Sequence, residues 1–188
     1  MVPEETEAML FEKNELDWIG SPLSIMPLEA IGNFKNHHHF HCSEMLGTCF
    51  LSVNTQHPVL THPKMRRALA CAINRQAIVD HIAQGDQLMA TTLVPPSMGL
   101  STASLIRDNC PQEALTLFHE ALSEMNLSSD VFSSISLLYR SGERSRLIAQ
   151  AIQNQWFEVF GIRIQLEAIE GKIFFDRISR GQYAISVG

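Results

Sequence analysis

The stretch ISLLYRSGERSRLIAQAIQNQWFEVFGIRIQLEAIEGKIFFDRISRGQYAISVG, residues 135–188, decides the fold class of this chain. Short apolar runs, which are typical of strands, alternate in it with longer segments whose apolar residues recur at helical spacing. The predicted order is strand 135–139, helix 143–160, strand 162–168, a helix after Gly171 and strand 183–187. Because helices connect successive strands, the stretch predicts an α/β fold with a mixed sheet flanked by helices.

The first two thirds of the chain continue this alternation. Five apolar residues after Pro63 recur at i, i+3, i+4, i+7 and i+8 and predict a helix with one buried face: Met65, Ala68, Leu69, Ala72 and Ile73. Asn74 is a good capping residue for a second helix, and Gly85 is placed to end it. The other predicted elements are helix 4–13, strand Leu16–Ile19, helical turn Leu28–Ile31, strands 37–42 and 48–54, and a helix from Pro111 that buries Leu115, Phe118, Leu122 and Met125.

Composition and charge narrow the class of partner. The chain has 188 residues, a length that suits one domain, and its 14 basic and 20 acidic side chains give a net charge of −6. Nucleic acid is therefore not expected as a partner, since phosphate neutralisation needs clustered Lys and Arg. No apolar run reaches the roughly 18 to 20 residues that span a bilayer, and the start lacks the pattern of a secretory signal. Small molecules or proteins are the expected partners.

Four stretches in sequence resemble one family, the peptide/nickel-type solute-binding proteins, which include the oligopeptide- and dipeptide-binding proteins of ABC importers. They are Phe11–Trp18 (FEKNELDW), Gly47–Asn54 (GTCFLSVN) with Pro58 and the helix Met65–Val79, Gly85 with Val94-Pro95-Pro96, and Leu137–Gly188. The chain is identified as a C-terminal-lobe fragment of this family. The family continues beyond the position of Gly188 with a Trp and an Asp-containing loop, so truncation at the C-terminus is expected.

The resemblance implies one lobe of a two-lobed, periplasmic-binding-protein-like fold. Residues 1–22 would form an inter-lobe crossover segment with a helix and a strand, and residues 23–188 an α/β ligand-binding lobe. The implied function is non-covalent binding of oligopeptides or dipeptides in an inter-lobe cleft, as the substrate-binding component of an ABC importer. The implied partners are the peptide and the permease subunits of the transporter. The parent protein would be a monomer without cofactors, in the periplasm or anchored as a lipoprotein at the outer face of the inner membrane.

Carried over position by position, the resemblance also implies a set of ligand-binding residues. Two lie where the chain would cross between lobes, two follow the strand at 135–139, and two line an apolar pocket in the last helix. These residues are Gly20, Ser21, Arg140, Ser145, Gly171 and Phe175.

Two alternatives stay open from the residues alone. The segment His37–His41 has the ligand types of a metal or metal-complex binding module, although histidines spaced along one strand lie too far apart to share an ion without a turn. An isolated lobe could also fold and bind no ligand. An enzyme is not expected: Cys49 or Ser145 could be called a nucleophile, but the sequence contains no nucleophile elbow, phosphate-binding glycine loop, zinc-protease helix or deaminase signature.

The sequence has four cysteines, and no two of them form a Cys-x-x-Cys motif: they are Cys42, Cys49, Cys71 and Cys110. Four cysteines allow three pairings, and the sequence does not choose among these pairings and free thiols. Buried free thiols are the simpler expectation.

Overall fold

The computed structural model describes residues 4–24, 26, 28–37, 39–43, 45–83, 87–100, 103–104 and 106–188. Gly85, predicted to end a helix, lies outside them. The helices are α1 Glu4–Glu12, α2 Leu28–Phe34, α3 Pro63–Cys71, α4 Arg75–Ile78, α5 Pro111–Met125, α6 Glu143–Phe160 and α7 Gly171–Ser179. The strands are β1 Leu51–Val53, β2 Ser136–Arg140, β3 Gln165–Ile169 and β4 Ile185–Val187. Short 3₁₀ segments cover Pro58–Leu60, Pro96–Met98 and Ser129–Ser134, and α4 continues as a π-helical turn, Val79–Ala83.

The four strands form one mixed sheet in the order β1-β4-β2-β3. Strand β2 runs parallel to both β3 and β4, and β1 pairs with β4 in the antiparallel direction. Helix α6 connects β2 to β3, and α7 connects β3 to β4. The predicted fold class, a mixed α/β sheet flanked by helices, is confirmed.

Strand β2 is buried on both faces of the sheet. Leu137 and Tyr139 belong to the main core, and Leu138, whose side chain points to the opposite face, is also fully buried. A strand covered on both sides reads as a continuous apolar run, which is why residues 135–139 stand out in the sequence.

The centre of the core lies where α3, α5 and α6 meet. Phe118 of α5 stacks on Phe160 of α6 with ring centroids 4.4 Å apart and contacts Phe132 at 5.5 Å. Trp156 of α6 is 1% exposed, and its indole N–H donates to the carbonyl of Leu69 in α3 (2.9 Å). This hydrogen bond satisfies a carbonyl in the last turn of α3, because the last four carbonyls of a helix have no N–H partner within the helix. None of the helices among the described residues is long and apolar enough to cross a membrane.

Two predicted strands do not form. Leu16–Ile19 is irregular and leads into a turn in which the Trp18 indole donates to the carbonyls of Gly20 and Ser21. None of the described residues within 37–42 belongs to a strand. Instead, the Phe40 N–H donates to the His37 carbonyl (2.8 Å) and forms a turn. The histidine segment has no apolar face to bury against a core, so nothing fixes it in a sheet.

Two other predictions need correction. The strand predicted over 48–54 is limited to Leu51–Val53. Leu115, predicted to be buried, is 37% exposed, because the inward stripe of α5 runs through Ala114, Phe118, Ala121 and Leu122.

Candidate functional site

The parallel strands β2, β3 and β4 end at one side of the sheet, which we call the carboxyl edge. Their last residues are Arg140, Ile169 and Val187, and the register places Arg140 opposite Ile169. The β1–β4 ladder reaches the same edge, where Phe50 and Gly188 exchange two backbone hydrogen bonds (3.0 and 3.1 Å). In open α/β sheets, ligands bind in the crevice outside the carboxyl ends of the strands.

Four of the six predicted ligand-binding residues lie at this edge. Arg140 ends β2, Ser145 lies in the first turn of α6, Gly171 opens α7 and Phe175 follows one turn later. The Arg140 guanidinium carbon lies 6.0 Å from the centroid of the Phe175 ring, within cation–π range. Arg140 and Phe175 are exposed, whereas Ser145 and Gly171 are partly buried. The structure therefore brings a cationic and an aromatic side chain together, facing solvent.

The N-terminus of α6 adds hydrogen-bond donors to the carboxyl edge. Gly142 is the N-cap and supplies no side-chain cap, and the Arg146 N–H makes the first intrahelical bond, to the Gly142 carbonyl (3.0 Å). The N–H groups of the first turn are thus left to bind an acceptor from outside the helix. By contrast, the N-terminus of α7 is capped by the Glu170 carboxylate, which accepts from the Lys172 N–H (3.0 Å).

Arg144 is a member of the edge that the sequence reasoning missed. It is partly buried, and its Nε is enclosed without a hydrogen-bond partner among the described residues. A positive side chain in the first turn of a helix opposes the helix dipole. That local disagreement was the signal available in the sequence, because such disagreements are expected at functional sites.

The thiol of Cys49 lies close enough to Arg144 to respond to its charge. Although Cys49 as a residue is exposed, desolvation raises the pKa of its thiol, and the Arg144 guanidinium acts in the opposite direction. The net effect keeps the thiol protonated at neutral pH, so the local environment does not activate Cys49 as a nucleophile.

Gly20 and Ser21 lie in a separate turn after α1. Gly20 is buried with φ +89°, and a Cβ there would meet the Met26 side chain at 3.8 Å. Its N–H donates to the Ser24 hydroxyl (2.9 Å), while Ser21 is exposed. These contacts are local to the turn, and the predicted role of both residues beside a ligand stays a prediction.

Large apolar side chains are exposed around the carboxyl edge. Phe50 is 48% exposed, Ile173 55% and Phe175 60%. Apolar surface beside convergent polar groups is characteristic of ligand-binding and interaction sites. The edge can therefore bind a ligand that has both apolar side chains and main-chain or carboxylate oxygens.

The histidine segment does not form a metal centre in the described part of the chain. The rings of His37 and His39 lie 5.5 Å apart, and His38 is outside the described residues. No three His, Cys, Asp or Glu side chains among the described residues are grouped so that they could hold one ion.

Solved structures match this fold closely. A periplasmic oligopeptide-binding protein of an oligopeptide ABC transporter from Borrelia burgdorferi superposes with a TM-score of 0.84 at 23% identity, covering 100% of this chain and 36% of that one. The Haemophilus influenzae OppA in complex with the peptide RPPGFSPFR gives 0.79 at 19% identity, covering 98% and 37%. The fold is thus that of a lobe region of the periplasmic oligopeptide-binding proteins.

The sequence comparisons identify the family. The model described as bacterial extracellular solute-binding proteins, family 5 Middle, matches residues 1–188, and the chain belongs to this family. It is 32% identical to the oligopeptide-binding protein OppA of Bacillus subtilis over 185 residues. This alignment covers 96% of this chain and 34% of the relative. The chain therefore spans about a third of the length of that relative. The family indicated by the four stretches of sequence is confirmed, and this family is made up of solute-binding proteins.

Proposed function

We propose that this chain forms part of the substrate-binding component of an ABC-type peptide importer and binds oligopeptides or dipeptides without chemical change. The ligand would lie along the carboxyl edge, in a cleft that a second lobe closes. Arg140, Ser145, Gly171 and Phe175 would contact it from this lobe, and Gly20 and Ser21 from the inter-lobe crossover at 1–22.

The observation that carries the proposal is the convergence of different binding groups at the carboxyl edge. The Arg140 guanidinium and the uncapped first turn of α6 offer donors to peptide carbonyl or carboxylate oxygens. The exposed Phe175 ring beside Arg140 offers an apolar contact for a ligand side chain. An extended peptide needs both, because its main chain must be hydrogen-bonded while its side chains enter pockets.

The relatives support the ligand class. The Bacillus subtilis relative is named an oligopeptide-binding protein, and the Haemophilus influenzae structure holds a nine-residue peptide. In the same setting, permease subunits of the transporter are the proposed protein partners, and the periplasm or the outer face of the inner membrane is the proposed location. We propose a monomer, since ligand binding requires one cleft.

Isothermal titration calorimetry of the 188-residue chain tests the proposal. Dipeptides, tetrapeptides and the nonapeptide RPPGFSPFR are titrated into the wild-type chain and into the Arg140→Ala variant. Loss of a charge-assisted hydrogen bond costs about 1.5 to 3 kcal/mol, so the variant is expected to bind at least about tenfold more weakly.

Arg163→Ala is the matched control for Arg140→Ala. Arg163 also lies over an exposed aromatic ring, that of Phe157 at 4.4 Å, but it precedes β3 and so belongs to the opposite edge of the sheet. The control should keep the wild-type affinity. Equal weakening by both variants would contradict the assignment of the site, and absence of heat with every peptide would show an isolated lobe without ligand-binding activity.

A further inference from the structure

Two cysteines meet where α3 ends and α5 begins. Cys71 is the last residue of α3 and is 3% exposed, and Cys110 is the N-cap of α5 and is half-buried. The Cys110 N–H donates to the Cys71 carbonyl (2.8 Å), and the neighbouring Asn109 N–H donates to the Ile73 carbonyl (3.1 Å). The two segments are therefore held side by side by their backbones.

This backbone contact limits the separation of the two cysteines. A single backbone N–H···O bond of this kind also closes tight turns, in which the Cα atoms of the bonded residues lie less than about 7 Å apart. Disulfides form between Cα atoms about 4.4 to 6.8 Å apart, so the contact brings Cys71 and Cys110 close enough for one.

Both side chains contact the same core. Cys71 is part of the main core, Cys110 packs against that core, and the two thiols are near enough to influence each other's charge. The Cys110 thiol at present donates to the Asp108 carbonyl at 3.4 Å, a weak bond that a disulfide could replace at little cost.

We propose that Cys71 and Cys110 form a disulfide when the chain meets a small-molecule disulfide oxidant. The Cys110 thiolate, the more accessible of the two, attacks one sulfur of oxidised glutathione and releases one glutathione thiolate. The Cys71 thiolate then attacks the Cys110 sulfur of the mixed disulfide and releases the second. Two thiols lose their protons and two electrons, and one oxidised glutathione becomes two reduced ones.

The bond would join the end of α3 to the start of α5 and enclose residues 72–109, which include α4. A cross-link over a long loop restricts the unfolded chain most, so it stabilises the native packing of the two helices. Cys42 and Cys49, both exposed and located before β1, are not needed for it.

Peptide mapping of the wild-type chain tests the pairing. The chain is incubated natively with oxidised glutathione, its remaining thiols are alkylated, and trypsin is applied. The expected product links ALACAINR, residues 68–75, to the peptide of residues 108–140. Because Cys42 and Cys49 share the peptide of residues 36–64, a link that involves either of them is distinguished by mass. A link to that peptide, a glutathione adduct on Cys110 alone, or four alkylated thiols would overturn the proposal.

Thermal unfolding of the same protein, oxidised and reduced, measures the consequence without a substitution in the core. Oxidation is expected to raise the midpoint by about 5 to 15 °C. The Cys42→Ala/Cys49→Ala variant should show the same shift, and Cys110→Ala should show none. If the protein contains the Cys71–Cys110 disulfide and its unfolding midpoint is unchanged or lower, the proposed stabilisation by a cross-link between α3 and α5 is refuted.

Discussion

The two tryptophans of the chain allow one substitution to be compared in two environments. Trp156 is 1% exposed, and its indole N–H satisfies the Leu69 carbonyl at the end of α3. Trp18 is 52% exposed, and its indole N–H donates to the carbonyls of Gly20 and Ser21. Trp156→Phe should destabilise the protein strongly, and Trp18→Phe should not.

The magnitude follows from what Trp156→Phe removes. The Leu69 carbonyl loses its side-chain donor inside the core, which costs about 1 to 3 kcal/mol. The smaller ring also leaves unfilled volume next to α3, which adds roughly 1 kcal/mol. The expected loss in the free energy of unfolding is therefore about 2 to 4 kcal/mol. At the exposed Trp18, water replaces the lost hydrogen bonds, so the expected change stays within about 0.5 kcal/mol.

Urea unfolding followed by far-ultraviolet circular dichroism is the assay, since a fluorescence signal would itself change with each tryptophan. With a slope of about 2 kcal/mol per molar urea, Trp156→Phe should lower the midpoint by about 1 to 2 M. A midpoint for Trp156→Phe that equals that of Trp18→Phe within error would refute the idea that the hydrogen bond from Trp156 to the Leu69 carbonyl stabilises the end of α3.

The remaining predictions concern a helix cap, a helix end and an ion pair. Asn74→Ala should lower the free energy of unfolding by about 1 kcal/mol in urea titrations, because the Asn74 side chain accepts from the Ala77 N–H (2.9 Å), whereas Asn74→Asp should be nearly neutral. Gly161 ends α6 at φ +71° with open space where a Cβ would stand, so Gly161→Ala should cost about 1 kcal/mol from backbone conformation alone, and Gly161→Asn less. Hydrogen bonding from Lys64 lowers the pKa of Glu124 from its ordinary 4.5, so this pair contributes stability above pH 4.5 that is lost as the pH falls through the lowered pKa. The unfolding midpoint of Lys64→Met should therefore fall less steeply with acid than that of the wild type; equal slopes would contradict the pair.

The sequence predicts the second half of the fold well because strong local signals agree there. The apolar run before Arg140, the long amphipathic helix 143–160 and Gly161 each point to the element that forms. The strands predicted at residues 16–19 and 37–42 rest on short patterns alone. Strands need partners from elsewhere in the chain, and the sequence does not show whether a partner is available.

The candidate site was predictable only in part. Arg140 and Phe175 come from different elements, and their proximity depends on the parallel pairing of β2 with β3 and on the packing of α7 over β2. The resemblance supplied both positions, whereas Arg144 has no counterpart in the residues that the resemblance implies. Its enclosed Nε becomes evident only once the first turn of α6 is placed next to Cys49.

Helix α6 connects the stability of the lobe to the geometry of the proposed site. Its first turn lies at the carboxyl edge, and its later turns are fixed by Trp156 in the core and by Gln155, which accepts from the Asn74 N–H (2.9 Å). A binding site is precise only when a rigid element holds it, and α6 is held about three turns away from the residues that would meet a ligand. Substitutions at the edge should therefore change affinity with little effect on unfolding. Trp156→Phe should weaken peptide binding indirectly, by loosening the helix that presents Ser145 and the uncapped N–H groups.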